Sequence, residues 1–75
     1  MIKQLKDMKI LTVSIGSMDI EVECFVYGKY TEAFAHYYYA GEESITGKGV
    51  ARTRRLAIKR AILHLFDQRL KEREK

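Results

Sequence analysis

The segment from Gly41 to Ile62 reads GEESITGKGVARTRRLAIKRAI and divides the chain into two kinds of structure. Its first nine residues, GEESITGKG, are polar and glycine-rich and read as a loop. Its second half places Ala57, Ile58, Ala61 and Ile62, with Leu65 and Phe66 beyond, on one broad arc of a 3.6-residue period. Thr53 stands ahead of that arc as a plausible N-cap. The predicted helix therefore covers about 53–72 and ends in the charged run DQRLKEREK. Ala57 and Ala61 are small, which suits a helix lying close on a sheet.

The chain upstream of this segment is β-rich. Leu11, Val13 and Ile15 alternate with Thr12 and Ser14, and Met18, Ile20, Val22, Cys24 and Val26 alternate with Asp19, Glu21, Glu23, Phe25 and Tyr27. Gly16-Ser17 and Gly28-Lys29 interrupt the alternation, and the aromatic run YTEAFAHYYYA follows from Tyr30. Strands are expected at about 10–15, 18–27 and 30–40, joined by two tight turns. Two-residue turns fix the register: Ile15 pairs with Met18, Val13 with Ile20, Leu11 with Val22, then Val26 with Thr31, Cys24 with Ala33, Val22 with Ala35 and Ile20 with Tyr37. These residues share one apolar face, to which Tyr37 and Tyr39 belong as core. The other face collects Asp19, Glu21, Glu23 and Glu32 among Phe25, Tyr27, Tyr30, Phe34, His36 and Tyr38. The expected fold is α+β: one domain over 1–75, a three-stranded antiparallel meander with the C-terminal helix packed on its apolar face. Ile2, Leu5 and Met8, three residues apart, fit one or two helical turns or a frayed tail at the N-terminus.

Composition narrows the class. The chain has 75 residues, net charge +4 and pI about 9.3, one cysteine, no proline and no long apolar run. A single cysteine forms no internal disulfide, and with two histidines it gives no zinc-ligand spacing. With no membrane span and no leader, a cytoplasmic protein is expected. Neither a carboxylate pair nor a nucleophile–base set is visible, so no catalysis and no cofactor are expected. Cys24 lies in the apolar stripe as a small hydrophobe. Glu21 and His36 face each other across two strands as an exposed structural pair.

The charge is placed unevenly. Lys48, Arg52, Arg54 and Arg55 gather at the front of the helix, Lys59 and Arg60 follow one turn later, and no acid occurs between Ser44 and Asp67. Arg54 and Arg55 oppose the helix dipole where acids are normally favoured. A nucleotide-binding P-loop does not fit: five residues separate Gly41 from Gly47, one too many, and Gly49 stands where the magnesium-binding hydroxyl belongs. Backbone phosphate contact by Lys48, Arg52, Arg54, Arg55 and Lys59 is the favoured reading, with the glycines letting the loop approach closely.

The run GKGVARTRRLAIKRAI resembles the C-terminal signature of the double-stranded RNA-binding domain, with Thr53, Arg54, Arg55, Ala57, Lys59 and Ala61 in the matching places. The resemblance spans roughly residues 10–70 and includes the three-stranded meander. It implies a basic helix start set across major-groove phosphates of a duplex, weakly selective for sequence. Here the form is shortened, with nine residues before the first strand and only Gly16-Ser17 in the first turn, as in small bacterial or phage proteins of this fold. Domains that lay a three-stranded sheet face into DNA are disfavoured, because Asp19, Glu21, Glu23 and Glu32 would meet phosphates.

A second stripe suggests another role. Leu56, Leu63 and Leu70 recur every seven residues and, with Phe66, form an apolar line outside the sheet-packing arc. Either Ile2, Leu5 and Met8 fold back over it, or it is a homodimer or partner interface. A protein-interaction module using this stripe or the acidic-aromatic sheet face is the alternative to nucleic-acid binding.

Overall fold

A computed structural model describes residues 5–40 and 43–73 of the protein, without the side chains of residues 39, 40, 43, 72 and 73. The part of the N-terminal expectation that rests on Ile2 and the core assignment of Tyr39 lie outside the described residues. Four strands, β1 (Asp7–Ile15), β2 (Met18–Val26), β3 (Thr31–Ala40) and β4 (Glu43–Ala51), precede one helix, α1 (Arg54–Arg73). The strands form an antiparallel meander in the order β1-β2-β3-β4.

The α+β class holds, with one more strand than expected. The segment read as a polar loop is β4. Ile45, Gly47, Gly49 and Ala51 are buried at alternate positions, while Ser44, Thr46, Lys48 and Val50 are exposed between them. Two of the four inward positions are glycine, so the period-two pattern carries no hydrophobic signal there. A Cβ on Gly47 would press on the carbonyl oxygen of Ala61 and lie 2.8 Å from Leu65 Cα. One on Gly49 would press on the carbonyl oxygen of Ala57 and lie 2.8 Å from Arg60 Cβ. The glycines let two backbones touch, and the loop-approach role expected for them does not apply.

The expected register is otherwise observed. Ile15–Met18, Val13–Ile20, Leu11–Val22, Val26–Thr31, Cys24–Ala33 and Val22–Ala35 are all pairs. The ladder between β2 and β3 ends at Glu21–His36, short of Ile20–Tyr37. Gly16 has φ 60, the left-handed conformation that a two-residue hairpin demands. β1 starts at Asp7, so Met8 belongs to a strand and not to an N-terminal helical turn.

Helix α1 begins as the sequence indicates: the Thr53 hydroxyl accepts from Leu56 N–H at 3.2 Å, and the Thr53 carbonyl accepts from Ala57 N–H at 3.0 Å. The helix presents three ridges to the sheet. Ala57, Ala61 and Leu65, fully buried, lie over β4 and β3. Ile58, Ile62 and Phe66 fringe the core, on the flank where Arg69 donates to Met18 Sδ at the start of β2. Arg60, His64 and Gln68 form the opposite flank. The helix reaches β2 slightly and does not lie over β1. Ile20, Val22, Cys24, Ala33 and Ala35 complete the core with no exposure.

Candidate nucleic-acid interface

The end of β4 and the first two turns of α1 bring Arg52, Arg54, Arg55, Lys59 and Arg60 to one end of the molecule, all exposed. The first helical turn holds no acid to offset them. Burial pushes the Cys24 thiol above its ordinary pKa, and the nearby charge of Arg54 partly offsets this.

Lys48 does not join this group. Alternation along β4 turns its side chain to the sheet face opposite α1. There Lys48 Nζ lies 3.4 Å from Glu32 Oε2 and 5.7 Å from the centre of the Phe34 ring. That face is the acidic-aromatic one the sequence describes. Phe25 and Phe34 meet edge to face at 5.8 Å, and Tyr27 stacks on Tyr30 at 5.0 Å. His36 sits opposite Glu21 in register, yet its Nε2 bonds Glu23 Oε1 at 2.9 Å and its Nδ1 bonds Thr46 Oγ1 at 3.1 Å.

An open depression of about 500 Å³ adjoins the helix start, lined by Lys29, Tyr30, Val50, Arg52, Leu56 and Arg60. Three cations and one aromatic ring converge there. The sequence reading missed Lys29 and Tyr30. The pairing of Thr31 with Ala51 brings their turn alongside Arg52, and that pairing needs β4. Arg60 is held in place by donating from Nη1 to the Val50 carbonyl at 2.8 Å.

The leucine stripe is exposed, with Leu56 at 39%, Leu63 at 57% and Leu70 at 60%. Leu5 and Met8 are themselves exposed and do not cover it. Phe66 departs from the stripe and packs, half-buried, against the core. His64, for which the sequence offers no partner, accepts from Lys48 N–H at Nδ1 (2.9 Å) and contacts Gln68 at Nε2 (3.0 Å).

No family model, curated protein or solved structure matches the chain. Among the described residues, no helix is long and apolar enough to cross a membrane.

Proposed function

We propose that the protein binds the phosphate backbone of a nucleic-acid duplex with the end formed by Arg52, Arg54, Arg55 and Lys59, joined by Lys29 and Arg60. The observation that carries this reading is the convergence of Lys29, Arg52 and Arg60, from three chain segments, on one depression with no acid lining it, beside a helix start whose exposed Arg54, Arg55 and Lys59 are likewise offset by no acid in the first turn. Backbone N–H groups at that terminus add to the attraction for phosphate. The likeness of TRRLAIKRAI to the double-stranded RNA-binding signature points the same way. Lys48, engaged by Glu32, contributes little to this surface. Tyr30 gives the depression an aromatic wall against which a sugar or base can rest. Phosphate contacts position a protein without reading bases, so sequence selectivity is weak. Neutralising about four phosphates of a DNA duplex gives a log–log salt slope of about −3.6. The test is a salt-titrated binding assay with duplex RNA, duplex DNA and single strands. Replacing Arg54 and Arg55 with Ala should weaken duplex binding and flatten the slope by about 2. Equal binding by the double variant, or no binding by the wild type at low salt, would sink this reading.

A second reading rests on the bare leucine stripe, whose three exposed leucines suit an apolar partner groove. Under it the protein is an interaction module, and Leu63→Glu removes the partner complex while leaving the fold intact.

A further inference from the structure

We infer that the outer edge of β1, with which no described residue pairs, is a self-association surface, through which two copies of the chain pair β1 against β1 in antiparallel fashion and continue the sheet across a two-fold axis. The two sheet edges are not equivalent. Along β4, the residues whose backbone groups point outward include Lys48 and Val50, and both are capped by the helix: His64 accepts the Lys48 N–H and Arg60 donates to the Val50 carbonyl. In β1 the outward groups follow from the register. Tyr27 N–H bonds Tyr30 across the second turn, so Glu21, Glu23 and Phe25 bond β3, while Ile20, Val22 and Cys24 bond β1. Their partners Val13, Leu11 and Lys9 therefore point inward, which leaves the backbone of Ile10, Thr12 and Ser14 facing out.

An edge of this kind is matched by one chemistry, an extended strand with its own outward N–H and C=O groups. The caps on β4 and the side chains of β1 favour a second copy as that strand, and the chemistry of β1 sets its register. The Met8 N–H is already taken by the Asp7 carboxylate at 2.9 Å, so the edge on offer is centred on Thr12. Pairing Thr12 with the Thr12 of a second copy sets Ile10 against Ser14 and Leu11 against Val13, with no overhang needed. Lys9 then meets Ile15 rather than a like charge, and the two Lys9 side chains stay some six residues apart, about 20 Å at strand rise. The caps on Lys48 and Val50 oppose the head-to-tail pairing of β1 with β4 that would build a filament, and the two-fold pairing of β1 with β1 closes at two.

This arrangement also brings together, across the two-fold axis, apolar side chains that the monomer leaves at its sheet edge. Both helices fall on one face of the joined sheet, and Leu11 and Val13 of the two copies line the floor between them. Those side chains are only half-buried in the single chain, while Ile10 is 58% and Ile15 38% exposed.

Sedimentation equilibrium and amide hydrogen exchange on the intact protein test the inference. The expected result is a dimer in which Ile10, Thr12 and Ser14 amides exchange at least about tenfold more slowly than when diluted to monomer. Thr12→Pro removes an outward donor without touching the ladder to β2 and should give a folded monomer. Leu63→Glu should remain dimeric. A monomer up to about 1 mM, or a dimer in which those three amides exchange freely, would overturn it. So would a dimer lost with Leu63→Glu and kept with Thr12→Pro, which places the interface on the helix. Should Thr12→Pro fail to fold, the exchange pattern of the wild type decides alone.

Discussion

Strands β1 and β4 are each nine residues long and each borders the sheet, yet they are built for different neighbours. β4 gives up side chains: Gly47 and Gly49 bring its backbone against that of α1, and Arg60 and His64 reach over its outer edge. β1 keeps its side chains and, among the described residues, has no helix above it. Coverage in this domain is thus set by where a strand lacks Cβ atoms rather than by where it is most apolar. The most hydrophobic edge, DMKILTVSI, is the one left open, and the polar-looking ESITGKGVA lies under the helix. A helix packs where it can come close, because dispersion attraction falls off within an ångström of optimal contact.

The comparison breaks most visibly at the glycines. Gly47→Ala or Gly49→Ala would drive a methyl group into backbone atoms of α1, which cannot turn aside as a flexible side chain can. Overpacking of this kind costs about 3 kcal/mol, the upper end of its usual range. A 75-residue domain carries net stability of roughly 4–11 kcal/mol, so each single change should lower the melting temperature sharply, and the double variant should not fold. Gly28→Ala is the matched control. The nearest atom its Cβ meets is Lys6 Cε at 3.8 Å, an ordinary contact, and its melting temperature should barely move. If Gly47→Ala melts like Gly28→Ala, the close approach of helix and strand is not what fixes β4.

The same contrast explains what a reader of the sequence can and cannot see. β1, β2 and their register are legible because each apolar residue stands where the pleat needs it and Gly16 marks the turn between them. The start of α1 is legible from Thr53, and its buried ridge from Ala57, Ala61 and Leu65. β4 is hidden because glycine contributes to packing by absence, which no hydrophobic period records. Its loss also displaces the candidate site. Lys48, one residue from each glycine, reads as part of a basic loop, whereas strand alternation carries it to the far face beside Glu32. Lys29 and Tyr30 are far in sequence from Arg52 and become its neighbours only through the Thr31–Ala51 pair.

A smaller effect is expected at the capped edge. His64→Ala removes the acceptor of the Lys48 N–H and should cost about 1 kcal/mol, the usual worth of one hydrogen bond. Its sharper signature is local: exchange of the Lys48 amide should accelerate, while the Leu11 and Val13 amides bonded to β2 keep their rates. Unmasking this edge should also favour association at high concentration, since an open strand edge templates pairing. Unchanged Lys48 exchange in His64→Ala would mean that the edge is protected by something other than the imidazole.

The smallest expected effect is read at Cys24, which lies in the core with no exposure and pairs with Lys9 across the β1–β2 ladder. Burial raises the pKa of its thiol above the ordinary 9.0, only partly offset by Arg54. The fold therefore favours the protonated thiol. Its contribution to stability is intact below the ordinary value and is lost as pH climbs through the raised one. At pH 8 both conditions oppose a disulfide-exchange reagent: the sulfur is covered, and little of it is thiolate. Labelling must then pass through opening of the structure, and its rate follows the free energy of that opening. Variants under the helix, such as Gly47→Ala, should speed labelling in step with the stability they lose. Thr12→Lys, on the exposed outer face of β1, touches nothing that covers Cys24. Its labelling rate at dilutions where the chain is monomeric should stay within about twofold of the wild type, the ±0.5 kcal/mol typical of surface changes. A large acceleration from Thr12→Lys would show that β1 and the helix-covered strands open together, and the two halves of the sheet would then be one cooperative unit despite their unequal covering.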